Sequence, residues 1–131
     1  MDSDSFIKTV GQILDPVLGP RGFSPHYSAS GRLYLAEFVS PDYVVSISFE
    51  PGDEFLQVAV FTVTNGIRSE LDDRDATPRL SDLSTRFLHP SDATDLGRTK
   101  DEISRNDRSL LKLVKSAKEL AIVLPRYFAA S

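Results

Sequence analysis

The residues of this chain whose types and spacing are best suited to chemistry lie in the segment HPSDATD, which holds His89, Asp92 and Asp95. One imidazole and two carboxylates are ligands that a divalent cation accepts, so a metal site is one interpretation of this segment. Pro90 interrupts the segment, and the spacing does not match a metal motif such as HExxH. We therefore favour a solvated loop and expect no metal and no cofactor.

A carboxylate inside a predicted strand gives a second candidate site. We expect Glu37 on an open sheet face, beside one of three residues with hydroxyl groups: Tyr27, Ser46 or Ser48. This combination suits a small-molecule pocket, although a surface glutamate is the simpler interpretation. The chain has no GxSxG elbow and no glycine-rich phosphate loop of the form GxGxxG or GxxxxGK(S/T). The sequence therefore predicts no catalytic residue and favours a protein that is not an enzyme.

Charge is distributed unevenly along the 131 residues. Residues 1–97 contain 7 Lys/Arg and 15 Asp/Glu, a net −8, and residues 98–131 contain 8 and 4, a net +4; together they give the formal net charge of −4. An acidic chain is poorly suited to neutralising phosphates, so we expect no nucleic-acid partner. The start MDSDS is acidic, unlike a secretory signal, and no apolar run approaches about 18 residues. We therefore expect a cytoplasmic protein without a membrane partner.

The first element that positions these residues is an amphipathic helix. Its apolar residues recur at helical spacing and are Phe6, Ile7, Val10, Ile13, Leu14, Val17 and Leu18. Ser3 or Asp4 can cap the start of this helix, and Gly19-Pro20 ends it.

Four strand candidates follow, separated by turn residues. They are about Phe23 to Ser28, Leu33 to Val39, Tyr43 to Phe49 and Phe55 to Thr64, with a short fifth candidate at Ile67 to Leu71. Short connections make neighbouring strands antiparallel, which predicts a meander. Pro25 cannot donate a ladder hydrogen bond, so the first strand belongs at an edge. After Thr77-Pro78, the spacing of Leu80, Leu83 and Phe87 predicts a helix of two to three turns.

The last predicted element is a long helix with two different faces. It begins at a capping box, Thr99 to Glu102, and continues to about Phe128, with Pro125 expected to bend its last turn. Five cations lie opposite its apolar stripe: Arg105, Arg108, Lys112, Lys115 and Arg126. Such a strip is typical of a solvated helix face. The alternative is a docking strip for an acidic partner or for an acidic loop of the same chain.

The run FLQVAVFTVT, residues 55–64, is apolar on both sides of a strand. Side chains alternate faces, so one side receives Phe55, Ala59, Phe61 and Val63, and the other receives Leu56, Val58 and Val60. The preceding run places Tyr43, Val45, Ile47 and Phe49 on one side. We expect one fully apolar face under the helices and a second, partly hydroxyl face that needs other cover. The residues assigned to a partner on this second face are Val44, Ser46, Leu56, Val58 and Val60.

The order of an amphipathic helix, Gly22-Phe23 and a meander ending in FEPGDEFLQVAVF resembles small bacterial domains, some of which are toxin-immunity proteins. The resemblance covers about residues 5–65 and implies a protein without catalytic residues that binds another protein. The acidic charge and the helix-plus-sheet plan also look like type III secretion chaperones, which are dimers that bind effector segments. Those chaperones resume strands after the middle helix, whereas this chain is predicted to end in one long helix.

These observations predict one α+β domain over residues 1–131. Its sheet is a four- to five-stranded antiparallel meander, with the N-terminal helix and the long C-terminal helix packed on one face. The predicted function is non-enzymatic protein binding, immunity- or chaperone-like, through the second sheet face. The expected partner is another protein or a second copy in a homodimer. A small-ligand or enzymatic pocket on the same face is the alternative, and cover by one of the chain's own helices is a third.

Overall fold

A computed structural model describes residues 1–93, 96 and 107–130 of the chain. Its helices and strands are α1 (Ser3–Leu18), β1 (Ser24–Ser30), β2 (Leu33–Val39), β3 (Tyr43–Glu50), β4 (Phe55–Thr64), β5 (Ile67–Arg68), α2 (Leu80–Phe87) and α3 (Arg108–Ala130). The strands form one antiparallel meander in the order β1-β2-β3-β4-β5. The predicted α+β architecture is confirmed, and β1, which contains Pro25, lies at an edge as expected.

Burial of one side chain in every turn fixes α1 on the sheet. The fully buried residues of this stripe are Phe6, Val10, Leu14 and Leu18. The cap differs from the prediction, because Asp2 rather than Ser3 or Asp4 precedes the helix. The Asp2 carboxylate accepts the N–H of Ser5 at 2.8 Å, which satisfies one of the free donors of the first turn.

The long helix α3 packs beside α1 and completes the cover of the sheet. Asp107 caps its start, because the carboxylate accepts the N–H of Leu110 at 2.9 Å. The predicted capping box, Thr99 to Glu102, lies outside the described residues. The helix continues through Pro125 to Ala130. Its buried residues are Leu113, Val114, Ala117, Leu120, Val123 and Leu124.

The register between β3 and β4 decides which side chains the helices cover, because opposite residues of an antiparallel pair share a face. On the face toward the helices, here named the helix face, the pairs are Val45 with Val60, Ile47 with Val58 and Phe49 with Leu56. On the other face, named the reverse face, the pairs are Val44 with Phe61, Ser46 with Ala59, Ser48 with Gln57 and Glu50 with Phe55. The helix face therefore carries the core.

The prediction that the helices cover the Phe55, Ala59 and Phe61 side of β4 is wrong. The turn 51–54 connects β3 to β4 so that Glu50 and Phe55 are cross-strand neighbours, which places the even-numbered residues of β4 under the helices. A slip of one residue would exchange the two sides of the strand. Because both sides of β4 are apolar in sequence, periodicity alone did not distinguish the two registers.

Truncation of neighbouring residues in β3 tests which side of this strand the helices cover. We expect Ile47→Ala, at a side chain that is 1% exposed, to lower the free energy of unfolding by about 2–5 kcal/mol. The matched change Ser48→Ala, on the reverse face, should change it by no more than about 0.5 kcal/mol. Urea denaturation of both variants gives these values. A larger loss at Ser48 than at Ile47 would mean that the faces are assigned the wrong way round.

Candidate functional site

The register separates the five residues that the sequence assigned to a partner. Val44 and Ser46 lie on the reverse face, whereas Leu56, Val58 and Val60 lie on the helix face. Val58 and Val60 are buried in the core between the sheet and the helices. The expectation that the five share one face is therefore wrong, because they belong to opposite sides of the sheet.

A groove runs along the reverse face beside Ser46. Its floor consists of Ser46, Ser48, Gln57 and Ala59, and its apolar walls are Leu33 and Leu35 on one side and Phe61 and Leu71 on the other. This reverse-face groove has a volume of about 260 Å³, and no residue of the three described helices lines it. Leu33 and Leu71 are 37% and 40% exposed, so both walls are open to solvent.

An arginine from β5 closes one end of the reverse-face groove. Arg68 donates two hydrogen bonds to the Glu37 carboxylate, at 2.8 and 3.1 Å, and its guanidinium lies 5.7 Å from the centroid of the Phe61 ring. Arg68 thus connects β5 to Glu37 of β2 and lies beside the Phe61 ring of β4. Val44, the cross-strand neighbour of Phe61, is 1% exposed on a face that no described helix covers.

The loop 69–79 holds the second wall of the groove in place. Thr77, a fully buried polar residue, donates its hydroxyl to the carbonyl of Glu70 at 2.7 Å. The Arg79 guanidinium donates to the carbonyl of Leu71 at 2.7 Å. These two bonds fix the backbone on either side of the Leu71 side chain, so the apolar wall is held by a network of polar contacts.

The opposite end of the groove is open and acidic. A neighbouring cleft of about 470 Å³ shares Leu33 and Glu50 with the groove and is also lined by Arg32 and Asp53. Glu50 and Asp53 are exposed. The groove is therefore extended beyond its own floor, in the direction away from the Arg68 contact.

The chain neighbours of Leu71 add further negative charge beside its wall. Glu70 and Asp72 flank Leu71 directly, and both are exposed. Of the two arginines in this loop, Arg79 binds backbone carbonyls, and Arg74 donates to the Asp82 carboxylate at 2.7 and 2.9 Å. The charge of Arg74 is consequently offset within the protein and does not compensate the carboxylates beside the groove.

Asp92, one of the three candidate metal ligands, forms an ion pair with an arginine of the same chain. Arg126 of α3 donates to both carboxylate oxygens of Asp92, at 2.8 and 3.2 Å, and to the carbonyl of Phe87 at 2.7 Å. The Arg126 guanidinium, together with the His89 backbone N–H, lowers the pKa of the Asp92 carboxyl from 3.8 to about 2. Asp95 lies outside the described residues. Within the described ranges, no group of three His, Asp or Glu residues could hold a metal ion.

The predicted cluster around Glu37 forms only in part. Ser46 is the cross-strand neighbour of Glu37 on the reverse face, and Ser48 lies in the next row. Tyr27 lies on the helix face instead, where its ring meets Phe38 edge-on with 6.2 Å between the centroids. Because both Glu37 oxygens accept hydrogen bonds from an arginine, the carboxylate is occupied and does not line the groove as a free acid or base.

The basic strip of the last helix is divided between two roles. Arg108, Lys112 and Lys115 are exposed, as a solvated face predicts. Arg126 instead binds the acidic segment after α2, which matches the alternative of contact with an acidic loop of the same chain. Arg105 lies outside the described residues.

The prediction that the chain has no SxxK spacing is wrong, because one lies in α1 and a second in α3, from Ser109 to Lys112. Ser5, Phe6, Ile7 and Lys8 have the SxxK pattern. Lys8 is exposed, and Ser5 belongs to the first turn, where its N–H is bound by the helix cap. An SxxK mechanism needs the lysine close to the serine inside a substrate site, so an exposed Lys8 beside a half-buried Ser5 supports no catalytic role.

Comparisons of the chain with protein-family models, with curated proteins and with solved structures find no match. Among the described residues, no helix combines the length and the apolar character that a membrane span requires. The functional argument therefore depends on the geometry of the reverse-face groove.

The ion pair of Asp92 predicts a pH dependence of stability. Because the pKa of this carboxyl is lower in the folded chain than its ordinary value of 3.8, ionised Asp92 stabilises the fold at neutral pH, and this contribution is lost as the pH falls toward about 2. We expect Asp92→Asn to be less stable than wild type at about pH 7 and the difference to narrow at about pH 3.

Urea denaturation at both pH values measures this difference, with Asp53→Asn in the exposed turn 51–54 as the matched control. The control should remain close to wild type throughout. A difference for Asp92→Asn that stays constant between the two pH values would contradict the assigned ion pair.

Proposed function

We propose that the protein is a non-enzymatic binding module that holds a segment of another protein in the reverse-face groove. The observation that carries the proposal is the open pair of apolar walls, Leu33 and Leu71, on a face to which no described helix contributes a lining residue. A surface that mixes exposed apolar side chains with small polar ones is compatible with a non-obligate protein interface. The predicted use of the second sheet face thus remains, but with the residues of the groove in place of Leu56, Val58 and Val60.

The open shape of the groove favours a polypeptide over a small metabolite. The groove is open along both walls and continues into the cleft beside Glu50, whereas a small-molecule site usually buries most of its ligand. The remaining candidate, a small-ligand pocket on the same face, has polar groups in Ser46, Ser48 and Gln57. A ligand bound only by the folded state would raise the melting temperature, so a thermal screen against metabolites tests it.

Crosslinking from the groove tests the proposal directly. A photo-reactive phenylalanine analogue would replace Leu71 in one variant and Ile67 in the control. Ile67 is the better control because it is 72% exposed at the β5 hairpin and does not line the groove. Irradiation in the organism that carries the gene should give a covalent adduct from position 71 and none from position 67.

The mass of the adduct separates the two kinds of protein partner. A second copy would give twice 14.5 kDa, and another protein would give a different sum. Leu33→Asp in the same chain should reduce the yield, since it places a charge in the opposite wall. Absence of an adduct at position 71, or equal adducts at both positions, would remove the support for a binding role of this groove.

A further inference from the structure

We infer that the occupant of the reverse-face groove is a short extended segment that carries lysine or arginine beside an aliphatic side chain. This inference rests on the proposed function and adds the chemistry of the partner. Two independent features point to it: the shape of the groove, which is closed at one end, and the sign of the charge around its open end.

The shape of the groove limits the occupant to a few residues. The floor follows β3 from Ser46 to Glu50, which spans about 13 Å at roughly 3.3 Å per strand residue. The contact between Arg68 and Glu37 closes the Ser46 end, and the cleft beside Glu50 extends the other. Small floor residues between tall apolar walls leave room for one or two aliphatic side chains, so a segment of about four extended residues fits.

The charge around the groove selects a basic segment. The described carboxylates at its open end and beside its outer wall belong to Glu50, Asp53, Glu70 and Asp72. The two cations near them are Arg32 and Arg79, whose guanidinium binds the Leu71 carbonyl. The charge of Arg68 is matched by Glu37 across two hydrogen bonds. The surplus is therefore negative, and complementary charge on a partner would steer association and fix orientation.

The same charge distinguishes a basic partner from a second copy packed face to face. The four carboxylates Glu50, Asp53, Glu70 and Asp72 are here named the acidic rim. A symmetric dimer through the reverse face would bring the acidic rims of both copies together, because a two-fold interface pairs the same patch on each chain. Like charges opposite each other are unfavourable. The remaining form of self-association is head to tail, with a basic surface of one copy in the groove of the next. Light scattering would show such an assembly as a mass larger than that of a dimer.

Selection from a random peptide display library tests the inference on the full chain. Peptides are selected on wild-type protein and counter-selected on Leu33→Asp and on Leu71→Asp, so that only groove-dependent sequences remain. We expect these sequences to be enriched in lysine or arginine next to leucine, isoleucine or valine. Their affinity should fall as salt is raised, since exposed charge pairs are screened.

Matched charge variants distinguish binding through the acidic rim from non-specific attraction of a basic peptide to an acidic protein. Glu50→Gln combined with Asp72→Asn should weaken a selected peptide by about three- to ten-fold. The control combines Asp4→Asn with Asp15→Asn, two exposed positions on α1, and should leave binding unchanged. Circular dichroism confirms that each variant is folded before binding is compared.

The outcomes distinguish this inference from the proposed function. Groove-dependent peptides without basic enrichment, or equal losses in the rim and control variants, overturn the inference and leave a binding groove in place. Failure to recover any groove-dependent peptide overturns both. Basic, groove-dependent peptides that lose affinity only in the rim variant support both.

Discussion

The fold depends on the pairing of β3 with β4, because this pairing decides which half of each strand is core and which half is surface. With Val45 opposite Val60 and Ile47 opposite Val58, branched apolar side chains meet under the helices. A slip of one residue would place Gln57 under the helices and expose Val58 and Val60. Burying the amide of Gln57 without hydrogen bonds is costly, so the observed register is strongly favoured.

The register between β3 and β4 also decides the composition of the reverse face. It keeps the apolar residues that the core does not use, Phe61 on β4 and Leu33 on β2, and places serines and an alanine between them. Part of the face carries the ion pair of Arg68 with Glu37, beside the Phe61 ring. The rest remains an open groove, because the described helices all belong to the other side or the edge of the sheet.

The spacing of apolar residues in the sequence predicted the helices and strands well. The candidate site was predicted less well, because it depends on contacts between residues far apart in the chain. The spacing from Phe6 to Leu18 and the boundaries of β4 were read correctly, since helical and strand periodicity are properties of neighbouring residues. Apolar periodicity left both registers of β4 open, and Gln57 on the Phe55 side was the sequence signal that distinguishes them. Nothing local indicated that Arg68 would reach Glu37, 31 residues earlier, or that the polar loop 69–79 would supply the wall residue Leu71.

The way in which Leu71 is held is consistent with the proposed binding role of the reverse face. Single exposed leucines are common at protein surfaces, so the exposure of Leu71 alone says little about function. Here the backbone around Leu71 is fixed by Arg79 and by the buried hydroxyl of Thr77, although the side chain itself is 40% exposed. Thr77 and Arg79 thus fix the shape of the wall that Leu71 forms. Under the proposed function, a wall that is already ordered reduces the conformational entropy lost when a partner binds.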